Sequence, residues 1–284
     1  MWWSALTGRL EQAKALDPVV ERVAGVVATV LPRGPVKDAL HGTWLGHALH
    51  PMLVAGPIGL WSGAVLLDLT AGEQGRDSAR RLVGAGVLAV APTAASGWAD
   101  WSELGLAKRP KRVGLVHAAA NLTTTVLYAG SWLARRRGDD RRGRALALAG
   151  VGGLAIGGYL GGHLAYAEAV GVSRTADEPP GPREWTDVAA AVDLAEGGLL
   201  RVDVGSRAVL LSRVGGVVGA VGATCSHWGG PLEQGAVQDG CVECPWHGSR
   251  FRLTDGGVER GPATNAQRAY DVRTVAGRLQ VKGR

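Results

Sequence analysis

CSHWGGPLEQGAVQDGCVECPWHGS, residues 225–249, contains two short motifs that each pair a cysteine with a histidine. The first is Cys225-Ser226-His227, and the second, sixteen residues later, is Cys244-Pro245-Trp246-His247. Thiolates and imidazoles are common donors to zinc and to iron in proteins. A zinc site is one interpretation, because Cys241 and Cys244 form a CxxC pair within the same stretch. The pattern therefore predicts a metal centre built from both motifs.

The residues around the two motifs resemble the cluster-binding loops of the Rieske [2Fe-2S] family. The residues that carry this resemblance are Gly229, Gly230, Pro231, Gly248, Ser249, Phe251, Leu253, Asp255 and Gly256. The resemblance implies that two cysteines hold one iron and two histidines hold the other, with a potential of roughly −150 to +300 mV. The implied cluster ligands are Cys225, His227, Cys244 and His247. Absorbance and EPR spectra separate this interpretation from a zinc site, which is colourless and silent.

The sequence departs from one branch of that family. Rieske proteins of cytochrome bc complexes carry an extra cysteine in each loop, joined as a disulfide, whereas Gly230 and Trp246 stand at those positions here. The chain therefore resembles the ferredoxin and oxygenase type of Rieske domain. Phe251 supplies no hydroxyl toward a cluster, although Ser249 can, so we expect a potential in the lower half of the range. Cys241 is interpreted as a small buried hydrophobic residue rather than a ligand.

Apolar residues are concentrated before residue 167, in a chain of 284 residues that is 46% hydrophobic with a mean hydropathy of +0.07. Four runs carry few charges: 52–69, 82–98, 113–133 and 145–166. A bilayer crossing takes about 20 apolar residues, so these runs predict three or four membrane-spanning helices. A soluble bundle of buried helices is the alternative, because runs shorter than about 18 residues are ambiguous.

Glycine spacing favours the membrane interpretation, because small residues let helices approach closely in lipid. The last run has a glycine at every fourth position: Gly153, Gly157 and Gly161. Upstream, Asp17-Pro18 opens an amphipathic run at 19–31 that is expected to lie on the membrane surface or on the bundle. Met1-Trp2-Trp3 lacks the features of a secretory signal and is expected to be an interfacial anchor.

These patterns predict a two-domain chain, with an all-α four-helix transmembrane bundle followed by an all-β iron-sulfur domain. The β prediction rests on short runs of β-forming residues between glycine turns. The predicted boundaries are an amphipathic, interfacial helical segment at 1–49, the four-helix domain at 50–167, a proline-rich linker at 168–184 and the Rieske domain at 185–284. The prolines predict a semi-rigid linker.

Four histidines outside the metal motifs fall at one face of the membrane in the predicted topology: His47, His50, His117 and His163. Ionisable residues in membrane segments are functional candidates, and two imidazoles can hold a haem b between helices. Such a haem would exchange electrons with the iron-sulfur centre. A hydrogen-bonded polar cluster is a second interpretation. A quinone pocket on the same face, lined by these histidines, Trp98 and Trp101, is a third.

A second family resemblance covers about residues 38–167. The run HGTWLGHALHP at 41–51, Ala99-Asp100-Trp101 and Gly161-Gly162-His163 are similar to a bacterial four-helix membrane domain of unknown function. Members of that family occur fused to Rieske domains. The resemblance implies the helical fold and the fusion, but it implies no activity.

The net charge of +6 and the pI near 9.6 do not indicate nucleic-acid binding, because no module of interleaved basic and aromatic residues is present. Much of the positive charge lies at 108–112 and 135–144, which are loops on opposite membrane faces in the predicted topology. The bias is nearly balanced, so the positive-inside rule leaves open the side of the Rieske domain. The expected location is the cell membrane, with several spans.

The leading hypothesis is a membrane-bound carrier of single electrons, with membrane lipid and a redox partner protein or quinone as its partners. A stand-alone oxygenase is disfavoured, because its mononuclear iron site needs a catalytic domain for which the chain has no room. The alternative is a membrane-anchored redox sensor or assembly module with a structural or sensing cluster. The expected cofactor is a [2Fe-2S] cluster, and haem b is a second candidate.

Overall fold

The computed structural model describes residues 2–105 and 107–284, with the backbone alone for residues 2–4. The anchor predicted at Met1-Trp2-Trp3 therefore lies outside the residues whose side chains are described. The chain divides into two compact units. The first comprises the chain up to Pro32 together with Leu49–Val170, and the second comprises Arg33–Ala48 together with Gly171–Arg284.

Seven α-helices precede the first strand within the described residues. They are α1 (Trp2–Gln12), α2 (Asp17–Val30), α3 (Pro35–His41), α4 (His50–Thr70), α5 (Arg76–Ser102), α6 (Lys108–Arg136) and α7 (Asp140–Tyr166). The predicted layout, a helical part followed by a β part, is confirmed, but the helices number seven rather than four. The difference arises because three shorter helices form before the first predicted span. Pro18 and Pro35 each occupy a first helical turn there, where proline is tolerated.

Three helices, α4, α5 and α7, are long and apolar enough to cross a membrane by length and composition. Helix α6 is as long, but it is not among them. Its apolar run is interrupted by His117, Asn121 and three consecutive threonines at 123–125, which lower its hydropathy. Composition therefore supports three of the four predicted spanning helices.

Small residues let the helices of the first unit pack closely. Trp61 of α4 stacks on Tyr128 of α6 with ring centroids 4.1 Å apart, and both side chains are buried. The indole N–H of Trp61 donates to the carbonyl of Val83 in α5 at 3.1 Å, so the polar group of this ring is satisfied. On α7, Gly153 faces Thr124, Gly157 faces Asn121 and Gly161 faces His117 of α6. The glycine series therefore allows the close helix contact that its spacing predicted.

A buried ion pair joins α4 to α6. The guanidinium of Arg135 donates to both carboxylate oxygens of Asp68, with 2.9 Å between Nη1 and Oδ1. Its Nε donates to the hydroxyl of Ser131 at 3.2 Å. A buried charge pair offsets its desolvation cost only when its hydrogen bonds are made. These bonds explain how two charged side chains are accommodated between the helices.

The second unit contains ten strands, among the described residues, in two antiparallel sheets. The strands are β1 (Thr186–Ala190), β2 (Leu199–Val204), β3 (Arg207–Val214), β4 (Val217–Gly222), β5 (Ala236–Gln238), β6 (Cys241–Glu243), β7 (Arg250–Arg252), β8 (Val258–Arg260), β9 (Ala269–Val275) and β10 (Arg278–Gly283). One sheet has the order β1-β10-β9-β4-β3-β2, and the other has the order β5-β6-β7-β8. The all-β prediction for this part of the chain is confirmed.

One hydrophobic core lies directly beneath the predicted metal motifs. Val221 of β4, Val242 of β6 and Phe251 of β7 are each fully buried in it. Cys225 and Cys244 belong to the same cluster, so both sheets contribute to the packing around the two cysteines.

Residues 33–48 belong to this second unit although they precede all the spanning helices in the sequence. Helix α3 begins at Pro35 and ends at His41, where Gly42 takes a left-handed φ of 88°. A short 3-10 turn follows at Thr43–Leu45. This segment falls in the predicted amphipathic region at 1–49, so its place in the iron-sulfur unit was not predicted.

Candidate iron-sulfur centre

The first ligand motif lies in the loop that follows β4. The N–H of Cys225 donates to the carbonyl of Gly230 at 2.8 Å, and the N–H of Gly229 donates to the carbonyl of Cys225 at 2.8 Å. Gly229 has a φ of +74°, a left-handed conformation that glycine adopts without strain. A bridge between Thr224 and Pro231 closes the base of the loop.

The second motif lies between β6 and β7 and repeats the same hydrogen bonds. The N–H of Cys244 donates to the carbonyl of Ser249 at 2.8 Å, and the N–H of Gly248 donates to the carbonyl of Cys244 at 3.0 Å. Gly248 has a φ of +75°. In both loops the cysteine therefore bonds to the residues four and five positions later, so the two cysteines occupy equivalent places in matched turns.

The structure brings all four predicted donors together. The rings of His227 and His247 are nearly perpendicular, with centroids 5.0 Å apart. Cys225 and Cys244 are buried, and their side chains hydrogen-bond to each other. That bond holds the pKa of Cys244 at about 6 and raises the pKa of Cys225, because one thiol donates to the other sulfur as a thiolate. The arrangement is therefore two sulfurs beside two imidazoles.

The environment of these donors fits a [2Fe-2S] cluster. His227 Nδ1 is buried and has no hydrogen-bond partner among the described residues. Burial lowers the pKa of His227 to about 3, helped by the nearby charges of His247, His41 and Arg174, so the imidazole is neutral and its lone pair is available. An unpaired buried polar atom is costly unless another group binds it, and a metal ion is such a group.

Backbone amides surround both sulfurs. The N–H groups of His227 and Trp228 point at the Cys225 sulfur, and those of Trp246 and His247 point at the Cys244 sulfur. Each amide donor stabilises negative charge on the sulfur that it faces. The loops therefore supply donor groups for the thiolates that metal binding requires.

Gly230 and Trp246 stand where bc-type Rieske proteins carry the two cysteines of their disulfide, and they are neighbours in space here too. A Cβ atom added to Gly230 would lie 3.2 Å from two ring carbons of Trp246 and 2.9 Å from Cys244 Sγ. Position 230 therefore has no space for a side chain while Trp246 occupies the other position. The two loops are packed against each other through an aromatic ring rather than through a covalent bond.

Cys241 lies in β6, where it pairs with Arg252 of β7. Its thiol is buried, and burial raises its pKa. The charged groups that act on it are Arg250, Glu259, Arg252 and Asp239, none of which is a predicted ligand. This environment is the one expected of a buried structural cysteine.

A third loop, residues 261–268 between β8 and β9, contacts both ligand loops and was not predicted from the sequence. The Ser226 hydroxyl donates to the carbonyl of Asn265 at 2.6 Å, and the Ser249 hydroxyl oxygen accepts the N–H of Ala263 at 3.0 Å. Both serine side chains are buried. Gly261-Pro262, a turn dipeptide at the start of this loop, was the available signal.

Comparison with known proteins matches residues 184–274 to the Rieske [2Fe-2S] domain and residues 46–174 to a predicted membrane protein domain, DUF2231. Over 98 residues the chain is 32% identical to the anthranilate 1,2-dioxygenase ferredoxin subunit of Burkholderia cepacia. That match covers 34% of this chain and 91% of the relative. This chain belongs to the Rieske [2Fe-2S] family. Its Rieske domain accompanies a DUF2231 domain, as the two resemblances predicted.

Other Rieske relatives differ in how much of them the chain covers. It is 31% identical over 105 residues to apoptosis-inducing factor 3 of Homo sapiens, a match that covers 36% of this chain but only 17% of that protein. Among solved structures, the ferredoxin of carbazole 1,9a-dioxygenase from Nocardioides aromaticivorans IC177 is 29% identical, with a TM-score of 0.34, and covers 35% of this chain and 98% of that one. Several curated relatives of the Rieske domain are ferredoxin components of dioxygenase systems.

Two candidate histidines of the DUF2231 domain lie close to each other. His50 Nδ1 is 2.9 Å from the carbonyl oxygen of Thr93 and 3.2 Å from the hydroxyl of Ser96 in α5. His117 Nε2 is 3.0 Å from the amide nitrogen of Asn121, one turn later in α6. The two rings are near enough for their charges to interact. These contacts are those of a hydrogen-bonded polar cluster, and the haem and quinone sites stay hypotheses.

The other two candidate histidines have different surroundings. His163 Nε2 is 2.9 Å from a carboxylate oxygen of Glu11 in α1, and Glu168 completes a group whose ligand atoms lie within 4.8 Å of one another. Arg109 pairs with both carboxylates, at 2.5 and 3.3 Å, so a guanidinium already offsets part of their negative charge. His47 is exposed, belongs to the second unit, and has its Nδ1 3.0 Å from the carbonyl of the next residue.

Proposed function

We propose that this protein is a membrane-anchored Rieske electron carrier that passes single electrons between a partner protein and an acceptor or donor on the membrane side. The proposed cluster ligands are Cys225, His227, Cys244 and His247. The observation that carries the proposal is the convergence of these four donors in two matched loops, with His227 Nδ1 buried and unpartnered among the described residues. A [2Fe-2S] cluster bound there supplies one-electron chemistry.

Backbone and side-chain groups of the chain prepare this site in three ways. The amides that face the two sulfurs stabilise thiolates, the buried serines hold the third loop on both ligand loops, and the hydrophobic core fixes the cysteines. His227 and His247 remain partly exposed. An imidazole edge at the surface gives an electron a short route to a docked partner.

The partner class follows from the relatives. Because the homologous ferredoxins belong to dioxygenase systems, we propose that a flavoprotein reductase or a terminal oxygenase exchanges electrons with the Rieske domain. Stopped-flow mixing of the full chain in detergent with a ferredoxin reductase should bleach the visible absorbance at a rate that rises with reductase concentration. A cluster that no reductase, oxygenase or quinol can reduce or oxidise on a catalytic timescale would favour the sensor or assembly alternative.

The reduction potential is expected in the lower half of the window of roughly −150 to +300 mV. Phe251 lies in the same core cluster as the two cysteines but has no hydroxyl to donate. In the second ligand loop, Ser249 is the residue with a hydroxyl. Hydrogen bonds to a cluster stabilise its reduced state, which is more negative, so a cluster with fewer donors has a lower potential. A redox titration followed by EPR measures the midpoint, and Phe251→Tyr should raise it. A midpoint near the top of the window would contradict this prediction.

Membrane attachment is the second part of the proposal. Helices α4, α5 and α7 are apolar enough to span, and the DUF2231 match covers all three. We propose a multi-pass protein of the cell membrane, in contact with lipid. Reporter fusions can assign the side of the membrane on which its Rieske domain lies. Alkaline phosphatase and fluorescent protein fused to the carboxyl terminus report opposite sides. Recovery of the protein in the soluble fraction without detergent would overturn the membrane assignment.

The haem hypothesis is tested separately by a pyridine haemochrome assay on the purified protein. The ε nitrogens of His117 and His163 already have protein partners, Asn121 and Glu11. His117 Nδ1, by contrast, is buried without a hydrogen-bond partner among the described residues, so the assay decides between the polar cluster and a haem ligand. A haemochrome spectrum that disappears in His117→Ala or His163→Ala would establish the haem site instead.

A further inference from the structure

Residues 33–45, called the strap here, pack on the Rieske site from a position far upstream in the sequence. The strap contains α3 and the turn at Thr43–Leu45. It belongs to the same compact unit as the ligand loops. None of the four proposed ligands lies in it, and the Rieske family match begins only at residue 184.

The first contact of the strap is with the third loop. The N–H of Gly261 donates to Oδ1 of Asp38 at 2.9 Å, across 223 residues of sequence. A Cβ atom added to Gly261 would lie 3.0 Å from that same oxygen and 3.1 Å from Cγ2 of Thr43. Gly261 is buried, so loss of this acceptor would leave its N–H without a hydrogen bond, which is energetically costly. The strap therefore lies directly against the loop that holds Ser226 and Ser249.

The second contact is with the ligand loops themselves. His41 is only 3% exposed, and it lies within electrostatic range of His227. Its ring lies 3.5 Å from the position that a Cβ on Gly261 would take. At the other end of the strap, Arg33 Nη1 lies 2.9 Å from the corresponding position on Gly248 of the second ligand loop. The strap thus reaches from the second ligand loop to the third loop, beside His227.

We propose that the strap is a working part of the cluster site, in which Asp38 positions the third loop and His41 closes the side next to His227. This inference rests on the proposed ligand set. Retention of the cluster then depends on a segment that the Rieske match does not include. The role of Asp38 and His41 is positioning, because both act through residues that bind or support the ligands.

A carboxylate that accepts from a buried amide explains why Asp38 is suited to this role. An ionised acceptor makes a shorter and stronger hydrogen bond than a neutral one. If Asp38 is truncated, the Gly261 N–H loses its acceptor, and the third loop loses a fixed point between the two ligand loops. An asparagine at this position keeps an oxygen acceptor, which makes it the conservative replacement.

The test uses the full-length protein in detergent, with Asp38→Ala, Asp38→Asn and His41→Ala. Bleaching of the visible absorbance in the presence of an iron chelator gives the rate of cluster loss. We expect roughly tenfold faster loss for Asp38→Ala, equivalent to about 1.4 kcal/mol, and a rate near wild type for Asp38→Asn. His41→Ala is expected to keep its cluster at purification but to change the EPR g values and the midpoint potential. A merely structural substitution would leave both unchanged.

Val36→Ala is the matched control, because Val36 lies on the same helix with 72% of its surface exposed. If Asp38→Ala and His41→Ala behave like Val36→Ala in all three measurements, the strap proposal is wrong. A readout that needs no cluster is hydrogen exchange in peptides that contain Gly261. Exchange there should be faster in Asp38→Ala than in wild type, and equal rates would overturn the proposal even for cluster-free protein. Absence of a cluster in wild type, with the exchange difference intact, would instead refute the proposed ligand set.

Discussion

Cys244→Ser is expected to purify without bound iron and without the visible absorption of an iron-sulfur protein. The thiolate is the form that binds a metal, and serine cannot replace it, because its hydroxyl stays protonated. The sulfur of Cys244 also accepts the amides of Trp246 and His247 and the thiol of Cys225, so its loss removes the centre of the donor set. Iron and sulfide analysis together with EPR of the reduced protein measures the result.

Cys241→Ser supplies the control for that experiment. Cys241 is also buried and also a free cysteine, but its surroundings in β6 contain none of the four donors. The substitution should leave cluster content unchanged and should cost about 1 kcal/mol of stability, the typical effect of a core point mutation. Loss of metal from Cys241→Ser, with retention in Cys244→Ser, would contradict the proposed ligands and would favour a site that uses Cys241.

Gly230→Ala is expected to lower the cluster content strongly, although alanine is the smallest change available. The added methyl would lie 2.9 Å from Cys244 Sγ and 3.2 Å from the ring of Trp246, so a ligand or its neighbouring loop must move. Overpacking of a tight interior typically costs about 1–3 kcal/mol. Here the cost falls on the ligand geometry itself. The ratio of cluster to protein and the bleaching rate with chelator both measure it.

Gly158→Ala is the matched glycine control, since no atom lies within 4 Å of the Cβ it would add. Gly158 lies on the exposed side of α7, where alanine favours the helix. Cluster content should equal that of wild type. Combining Gly230→Ala with Trp246→Ala should restore part of the cluster, because it relieves the ring contact but not the contact with the sulfur. Full cluster content in Gly230→Ala alone would show that the two loops are less tightly packed than described.

The parts of the site that could be predicted from sequence are those encoded within a few residues. Cys225 and His227, like Cys244 and His247, are close in the chain, and the glycines that follow them permit the matched turns. Local spacing therefore sufficed to predict the donor set. The bonds of Ser226 and Ser249 to the third loop were not predicted, because a short hydroxyl side chain is common in loops and only the folded third loop shows what each serine bonds.

Contacts between distant segments could not be predicted in the same way. The strap lies in the segment predicted to be amphipathic and interfacial, and its contact with Gly261 could not be predicted, because that contact spans 223 residues and leaves no periodic pattern. The histidines illustrate the same limit. Alternating spans predict one membrane face for His47, His50, His117 and His163, and this arrangement stays a prediction. The partner of His163, Glu11, lies on α1, a helix that the hydropathy pattern did not reveal. The count of four helices leaves out α1 and α3, since short helices have little hydropathy signal, whereas α2 corresponds to the amphipathic run predicted at 19–31.

The placement of the strap also has a consequence for biosynthesis. Asp38 leaves the ribosome long before Gly261, and at about 5 to 20 residues per second the 223 residues between them take roughly 10 to 45 s to make. During that interval the strap has no folded surface to pack on, and the chain upstream of the Rieske domain must stay accessible. Completion of the iron-sulfur unit therefore joins two segments that are synthesised far apart in time. A cluster that is inserted before the strap packs would enter a site in which the strap is still missing.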